Sequence, residues 1–368
     1  MSPARARWAW LAPALLPALN LALALALSAV VILVVGEHPL RALRLLATGA
    51  FGSAEALGYT LYYATNFVFT GLAVAVAFHA GLFNIGAEGQ ASIAGLGVAL
   101  LCLGAGGWPT PLVVIAAILV AAAFGAGWAF VPAWLQARRG SHVVITTIMF
   151  NFIASALMTH LLVNVLIKPG QQSPETREFD ASTWLPALHE LAGGLGLDIG
   201  RSPLNLSAPL AIAAGALVWF YLWHTRWGYE LRVLGHNEAA AVYGGIAPAH
   251  VVIVAMSISG ALAGLVSLNE VMGVQHRLLM NFAGGAGYVG IAVALMGRNH
   301  PAGIGVAAIL FGALYQGGVE LSLDMPALTR DMVVVIQGLI ILVCGALEHA
   351  LRGPLESLVG RTPATDRA

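Results

Sequence analysis

The chain has 368 residues, 59% of them hydrophobic and only 9% charged. A water-soluble domain carries about a quarter charged residues, so lipid must form part of this chain's solvent. Acidic and basic side chains balance at 17 each, and Lys168 is the single lysine among the basic ones; the basic stripe that a nucleic-acid partner would need is absent.

In chain order, Arg5 and Arg7 precede an apolar run that ends near Val35. Its core is longer than the about 7–15 residues of a signal peptide, so it reads as a retained first span. Residues 37–56, with Arg41, Arg44 and leucines at helical spacing, read as a helix lying along the membrane surface. Further runs near the about 20 apolar residues that a span requires fall at 57–79, 88–104, 111–135, 143–167, 204–224, 248–269, 282–297, 301–320 and 332–347. The expectation is an all-α membrane protein with about ten transmembrane helices, forming one domain over 1–368. The third and eighth spans are short and rich in glycine, and need not cross as straight rods. Cys102 and Cys344 lie in apolar runs without CxxC spacing, which reads as packing rather than as a metal site or disulfide.

Loop arginines set the orientation. The pair Arg138–Arg139 and the loop with Arg226 and Arg232 favour the inner side, which puts the N- and C-termini in the cytoplasm. The hydrophilic stretch 168–203 is then periplasmic, with Trp184 in a semi-apolar part that can form a cap, and 225–247 is cytoplasmic. FNIGAEGQASIAGLGVAL at 83–100 and FAGGAGYVGIAVALMGRN at 282–299 share a glycine-rich entry into an apolar run, a faint internal repeat of the kind transporters use.

Three segments carry the functional argument. GLFNIGAEGQ, 81–90, joins two spans with almost no loop and puts Asn84, Glu88 and Gln90 at membrane depth, where irregular backbone survives only inside protein or beside a water-filled cavity. Glu88 has two readings: a cap at the start of the third span, or a contact on a substrate path. RWGYELRVLGHNEAAAVYGGI, 226–246, is short, amphipathic and bounded by glycines. Asn237 is placed to cap a helix over Glu238–Tyr243, and that helix is either a docking element or part of a solvated loop. GGAGYVGIAVALMGRNHPAGIG, 284–305, clusters glycines that permit close helix contact or a broken helix, with Pro301 opening the ninth span. No strand precedes its GAGYVG string, so it is not a dinucleotide site. Asn151, Asn269 and Glu270 each either line a central path or satisfy a helix contact, with Glu270 near the outer interface. An ion-coupled transporter would rest on Glu88 alone, and a membrane-embedded enzyme would need convergent groups that scattered histidines do not supply.

FNIGAEGQ, VITTIMFNFIA at 144–154 and the run from GHNEAAAVYGGI to GIAVALMGRNHPAG together resemble the permease family that serves branched-chain amino acids, simple sugars and nucleosides in ABC importers, and its nucleoside branch in particular. The resemblance spans about 57 to 347. It implies a two-half permease architecture in a bacterial inner membrane, paired with a second permease, identical or related. It also implies a cytoplasmic ABC ATPase subunit and a periplasmic or lipid-anchored substrate-binding protein. The inner loop then corresponds to the ATPase coupling segment, with Arg232, Gly235, Asn237, Glu238, Ala239, Ala240 and Gly245 as its residues; His236 and Tyr243 depart from the family pattern. The chain lacks a GxxxxGK[ST] phosphate loop, so ATP hydrolysis falls to the partner and no cofactor is expected. The branch implies inward transport of a purine nucleoside, with Phe83, Asn84, Glu88, Gln90, Asn151 and Tyr288 offering amides and aromatic faces along the path. A ribose-type sugar is the alternative cargo.

Overall fold

The computed structural model describes residues 12–343 apart from 169, 195, 197–199, 326, 329–331, 333, 337 and 340–341. Cys344, the terminal arginines and half of the last expected span lie outside the described residues. In chain order the helices are α1 Ala12–Val34, α2 Pro39–Phe51, α3 Ala54–His79, α4 Ala87–Gly104, α5 Thr110–Arg139, α6 Val143–Asn164, α7 Leu188–Gly194, α8 Ser207–His224, α9 Arg226–His236, α10 Glu238–Tyr243, α11 Pro248–Gly264, α12 Ala286–Met296 and α13 Pro301–Asp324. A π-helical stretch, Leu268–Gln275, prolongs α11. The described residues contain no strands, only two isolated β-bridges, Glu175 with Leu279 and Ala187 with Asn205.

Local chemistry explains the helix ends. The Ser53 hydroxyl accepts a hydrogen bond from the Ala56 N–H at 3.0 Å, and Glu55 follows in the first turn of α3; both satisfy the free donors and the positive end of the helix dipole. α5 ends at Gly140 in the left-handed region, with Arg138 and Arg139 in its last turn, where cations complement the free carbonyls. The helix expected over 37–56 is present, but shorter. α2 stops at Phe51 and Ser53 starts α3 afresh.

Seven helices among the described residues are long and apolar enough to cross a membrane: α3, α4, α5, α6, α8, α11 with its π-helical extension, and α13. α12 is shorter, as its glycine-rich sequence led us to expect.

The described residues fall into two compact units, one within 50–315 and the other formed by those within 12–49 and 316–343. In the larger unit α3, α4 and α11 form the centre. Their apolar windows are 78%, 67% and 72% buried, against 28% for each of α5, α6 and α8, so the latter turn most of their apolar surface outward to lipid or to a partner chain. Small residues let α5 and α11 cross closely: a Cβ on Gly125 would strike the Gly260 carbonyl, and one on Gly264 the Ala121 carbonyl. In the smaller unit α2 packs on the last turns of α13, where Gly317 lies against the Leu46 backbone and Gly49 against the Glu320 side chain.

The loops of the larger unit gather at two ends. One end holds Gly81 against Gly235, with Trp223 between His79 and His300. The other holds Gly58 against Ser202, Thr176 bonded to Leu278 and Trp184 stacked on His276. The described parts of 168–203 and the loop 225–247 thus lie at opposite ends of the larger unit.

Candidate functional site

After α3 the chain turns at Gly81, whose φ of +73° costs glycine nothing, and doubles back through 82–85 without helical structure. Asn84, fully buried, organises this segment. Its Nδ2 donates to Gln90 Oε1 at 3.0 Å and to Ser259 Oγ at 2.8 Å, while its Oδ1 accepts from the Gly86 N–H and from Gln90 Nε2. Ser259 in turn donates to the Ala73 carbonyl at 2.6 Å. Ala73 is six residues, or ~9 Å, inside the His79 end of α3, so α4 starts part-way across the unit rather than at its surface. From there α4 runs to the opposite end, where the Leu103 carbonyl accepts from Arg177.

α12 mirrors this arrangement. The chain enters from the His276 end, passes without regular helix to Gly285 at φ +86°, and begins α12 part-way across. Gly290 lies against Thr70 of α3, and Gly71 lies against Val293. α12 then runs toward the end that holds His300. The faint repeat in the sequence is thus a pair of short helices of inverted direction whose N-termini meet. A Cβ on Gly287 would collide with the backbone of Ala87 and Glu88.

Glu88 sits at that junction. One carboxylate oxygen accepts from the Gly285 N–H at 2.9 Å and the other from the Gly287 N–H at 2.9 Å. The first turn of a helix has free donors and a positive dipole end, and a carboxylate is their favoured partner. The capping reading of Glu88 therefore needs a correction: the carboxylate caps α12, the short helix of the other half, although its residue lies in the first turn of α4. Asn151 of α6 completes the junction. Its Oδ1 accepts from the Gly89 N–H, and its Nδ2 donates to the Ile85 carbonyl, both at 2.9 Å, and lies 3.3 Å from the Tyr288 hydroxyl.

Of the six residues expected along a path, Glu88, Asn151 and Tyr288 meet at the junction, and Tyr288 is 49% exposed there. Asn84 and Gln90 brace the interior immediately behind it. Phe83 packs edge to face on Phe78, ring centres 5.6 Å apart.

A second polar cluster gathers around Asn269 and Glu270, which the sequence offered as path-lining or helix-contact residues, and adds Tyr62, Asn66, Asn205 and Ser207, which it did not. Glu270, expected near the outer interface, instead has its carboxylate against the middle of α3. It accepts from the Tyr62 hydroxyl and from Asn66 Nδ2, both at 2.6 Å. The π-helical stretch carries α11 past Glu270 to Gln275, so the residue lies inside the span and not at its end. Asn269 donates to the Tyr62 carbonyl and to Asn66 Oδ1, and accepts from Asn205 and Ser207. The signal was present as Tyr62 and Asn66, one helical turn apart on α3.

At the end that holds Gly235, Thr225 caps α9 by accepting from the Gly228 N–H at 3.1 Å, and Asn237 caps α10 by accepting from the Ala240 N–H at 3.0 Å. The expected cap and the short helix over Glu238–Tyr243 are both present. Asn237, Glu238, Ala239, Ala240 and Gly245 are exposed, and Arg232 is half-buried. Gly235 presses on the His79 carbonyl so closely that a Cβ would collide with it. Tyr243 is 98% exposed.

At the other end the described residues of 168–203 form a structured cap. Asp180 accepts from the Ser182 N–H, which holds its carboxyl below the usual range. The Trp184 and His276 rings stack at 3.9 Å. Burial lowers the His276 imidazole, with Arg277 adding to the effect and Glu178 and Glu190 opposing it.

No group of three or more His, Cys, Asp or Glu side chains suited to a metal occurs among the described residues, and the broken helices carry hydrogen-bonding groups rather than a nucleophile with its base. The family described as the branched-chain amino acid transport system permease component matches residues 56–344, a range that contains both broken helices and the loop 225–247. The chain belongs to this permease family. It is 34% identical to the guanosine ABC transporter permease protein NupP of Bacillus subtilis over 88% of this chain and 91% of that protein. It is 33% identical to the glucose ABC transporter permease protein TsgB13 of Haloferax volcanii over 93% and 89% of the two chains. With the nucleoside ABC transporter permease protein NupB of Lactococcus lactis it shares 31% over 86% and 85%. No solved structure matches the chain.

Proposed function

We propose that this permease is the membrane-spanning subunit of an ATP-driven ABC importer, carrying a nucleoside, and a purine nucleoside in preference, from periplasm to cytoplasm. The observation that carries the reading is the 34% identity to a guanosine permease over nearly the whole of both chains, with a nucleoside permease from a second organism close behind. The physical support is the pair of inverted short helices meeting inside the fold. Discontinuous helices whose N-termini face one another are a recurrent way to place a polar site at membrane depth.

In this reading the chain acts as one permease domain with about ten spans in two halves, both termini in the cytoplasm and the whole in a bacterial inner membrane. A second permease, identical or related, completes the path. A cytoplasmic ATPase docks on α9 and α10 through Arg232, Gly235, Asn237, Glu238, Ala239, Ala240 and Gly245, and a binding protein delivers cargo to the 168–203 cap. Gly235 against the end of α3 is the mechanical link: a push on α10 reaches α3, and α3 carries Thr70, against which α12 rests. Glu88, Asn151 and Tyr288 face the path, with Phe83 at its inner end and Asn84 and Gln90 holding the break in shape. The two arrangements of the junction are biased from outside by delivery and from inside by ATP.

A simple-sugar permease is the second reading, favoured by the glucose permease relative. Uptake of radiolabelled guanosine, adenosine, ribose and glucose by cells with and without the gene separates the two. Loss of nucleoside uptake alone supports the nucleoside reading; loss of sugar uptake alone moves the chain to the sugar branch with its mechanism intact.

A further inference from the structure

The Glu270 cluster lies apart from the Glu88 junction and has no part in the coupling argument. Glu270 is 8% exposed, and among the described residues no cation pairs with it: the ion pairs are Arg226–Glu230 and Arg277–Glu175. Its two oxygens are served unequally. Oε1 takes two short bonds, from Tyr62 and Asn66. Oε2 has only the long 3.3 Å contact from Gln275 Nε2, and the other end of that amide, Gln275 Oε1, is buried without a donor. Turning the amide over would put its oxygen against the carboxylate, so the orientation is fixed by charge. Two adjacent acceptors, on residues five apart, are therefore poorly served on one π-helical stretch. Such stretches are rare and gather at functional sites, and an intramembrane carboxylate is costly unless it has a role.

Pinning the π-helical stretch would need only the two Oε1 bonds. The poorly served pair calls for a ligand that donates two neighbouring hydrogen bonds. Beside it α3 and α13 present half-buried aromatic faces: Tyr63 lies 5.1 Å from Tyr62 and 5.7 Å from Tyr315, centre to centre. We infer that Glu270 and Gln275 form a subsite for the paired hydroxyls of a pentose, with Tyr63 and Tyr315 flanking the rest of the cargo. The inference rests on the importer reading and deepens it. It places a hydroxyl-reading station outward of the Glu88 junction, since Tyr62 and Asn66 precede Thr70 on the course of α3 from the capped end. A carboxylate facing a diol accepts two charge-assisted bonds, and a site built to bond a hydroxyl discriminates against cargo that lacks it.

The test uses the assembled transporter in membrane vesicles with its ATPase, comparing initial uptake of tritiated guanosine and 2′,3′-dideoxyguanosine. The wild type should prefer guanosine roughly tenfold or more, a typical effect of losing hydrogen bonds to a charged group. Glu270→Gln should bring guanosine down to the dideoxy rate while leaving the dideoxy rate in place. Gln275→Met, which removes the second acceptor without touching the carboxylate, should erode the same preference several-fold. Equal loss for both cargoes in both variants would assign the cluster a purely structural role and overturn the inference, as would a preference that neither variant changes. Vesicles that import ribose but no nucleoside would sink the nucleoside reading alone. The same comparison, run with ribose and 2-deoxyribose, would then decide the hydroxyl subsite by the same criteria.

Discussion

A carboxylate that caps a helix other than its own ties two elements together, and Glu88 does so through Gly285 and Gly287. Glu88→Gln replaces one acceptor by an N–H₂ group that faces a backbone N–H. One bond is lost and two donors are brought together. Transport should fall roughly tenfold or more while the amount of protein in the membrane holds, as uptake and immunoblotting of the same cells would report. Normal uptake would remove Glu88 from the mechanism. At the capped end His276 makes a pH prediction. Burial depresses its imidazole, so the neutral ring is the folded form. The stabilisation is fully present above the unfolded value of about 6.5 and is lost as pH falls from there toward the lower folded value, because the unfolded chain takes up the proton first. Trp184 fluorescence should change as pH falls below about 6.5, and Trp184→Phe should abolish the change; a signal that stays flat until the protein unfolds in acid would count against the stack as a pH-sensitive contact. The roles of single residues were only partly legible in the sequence. Asn237 declares its cap through local spacing alone. The partner of Glu88 lies 197 residues away, a distance no local pattern encodes, and Glu270 gave no hint of its depth because the π-helical turn that extends α11 has no sequence signature of its own.

At the scale of elements, the crossing of α5 and α11 sets the positions of everything that packs on them. Gly260 lies against Gly125 and Ala129, so Gly260→Val forces the helices apart. Overpacking of this kind costs about 1–3 kcal/mol, and thermal unfolding of the detergent-solubilised protein should fall by several degrees; an unchanged transition would show that the crossing tolerates a side chain. In the loop 225–247, Glu238→Arg keeps α10 helical, since Asn237 still caps it, but reverses the charge on the helix proposed to dock the ATPase. Uptake should be lost while the protein remains in the membrane, and normal uptake would count against α10 as the docking helix. Hydrophobic runs told most about the spans, because length and apolarity are what a bilayer demands. The helix expected over 37–56 is present over Pro39–Phe51 and ends early because Ser53 is a strong cap that starts α3. The short spans were flagged by glycine, but their inverted directions emerged only when Thr70, Ala73 and Ser259 fixed their depth.

At the largest scale, three stations follow one another across the larger unit: the cap with Trp184, the junction at Glu88 and the loop with Gly235 and α10. Membrane residence was visible from composition, whereas the stations come together only through contacts between distant segments. The central proposal is that a separate cytoplasmic ATPase drives inward movement of a nucleoside through this chain. It is tested most directly by uptake of radiolabelled guanosine in cells that express the permease with and without its ATPase partner. The account predicts accumulation that disappears when the ATPase is removed. Accumulation that continues without the ATPase would contradict it, and would make the chain a transporter driven by some other gradient.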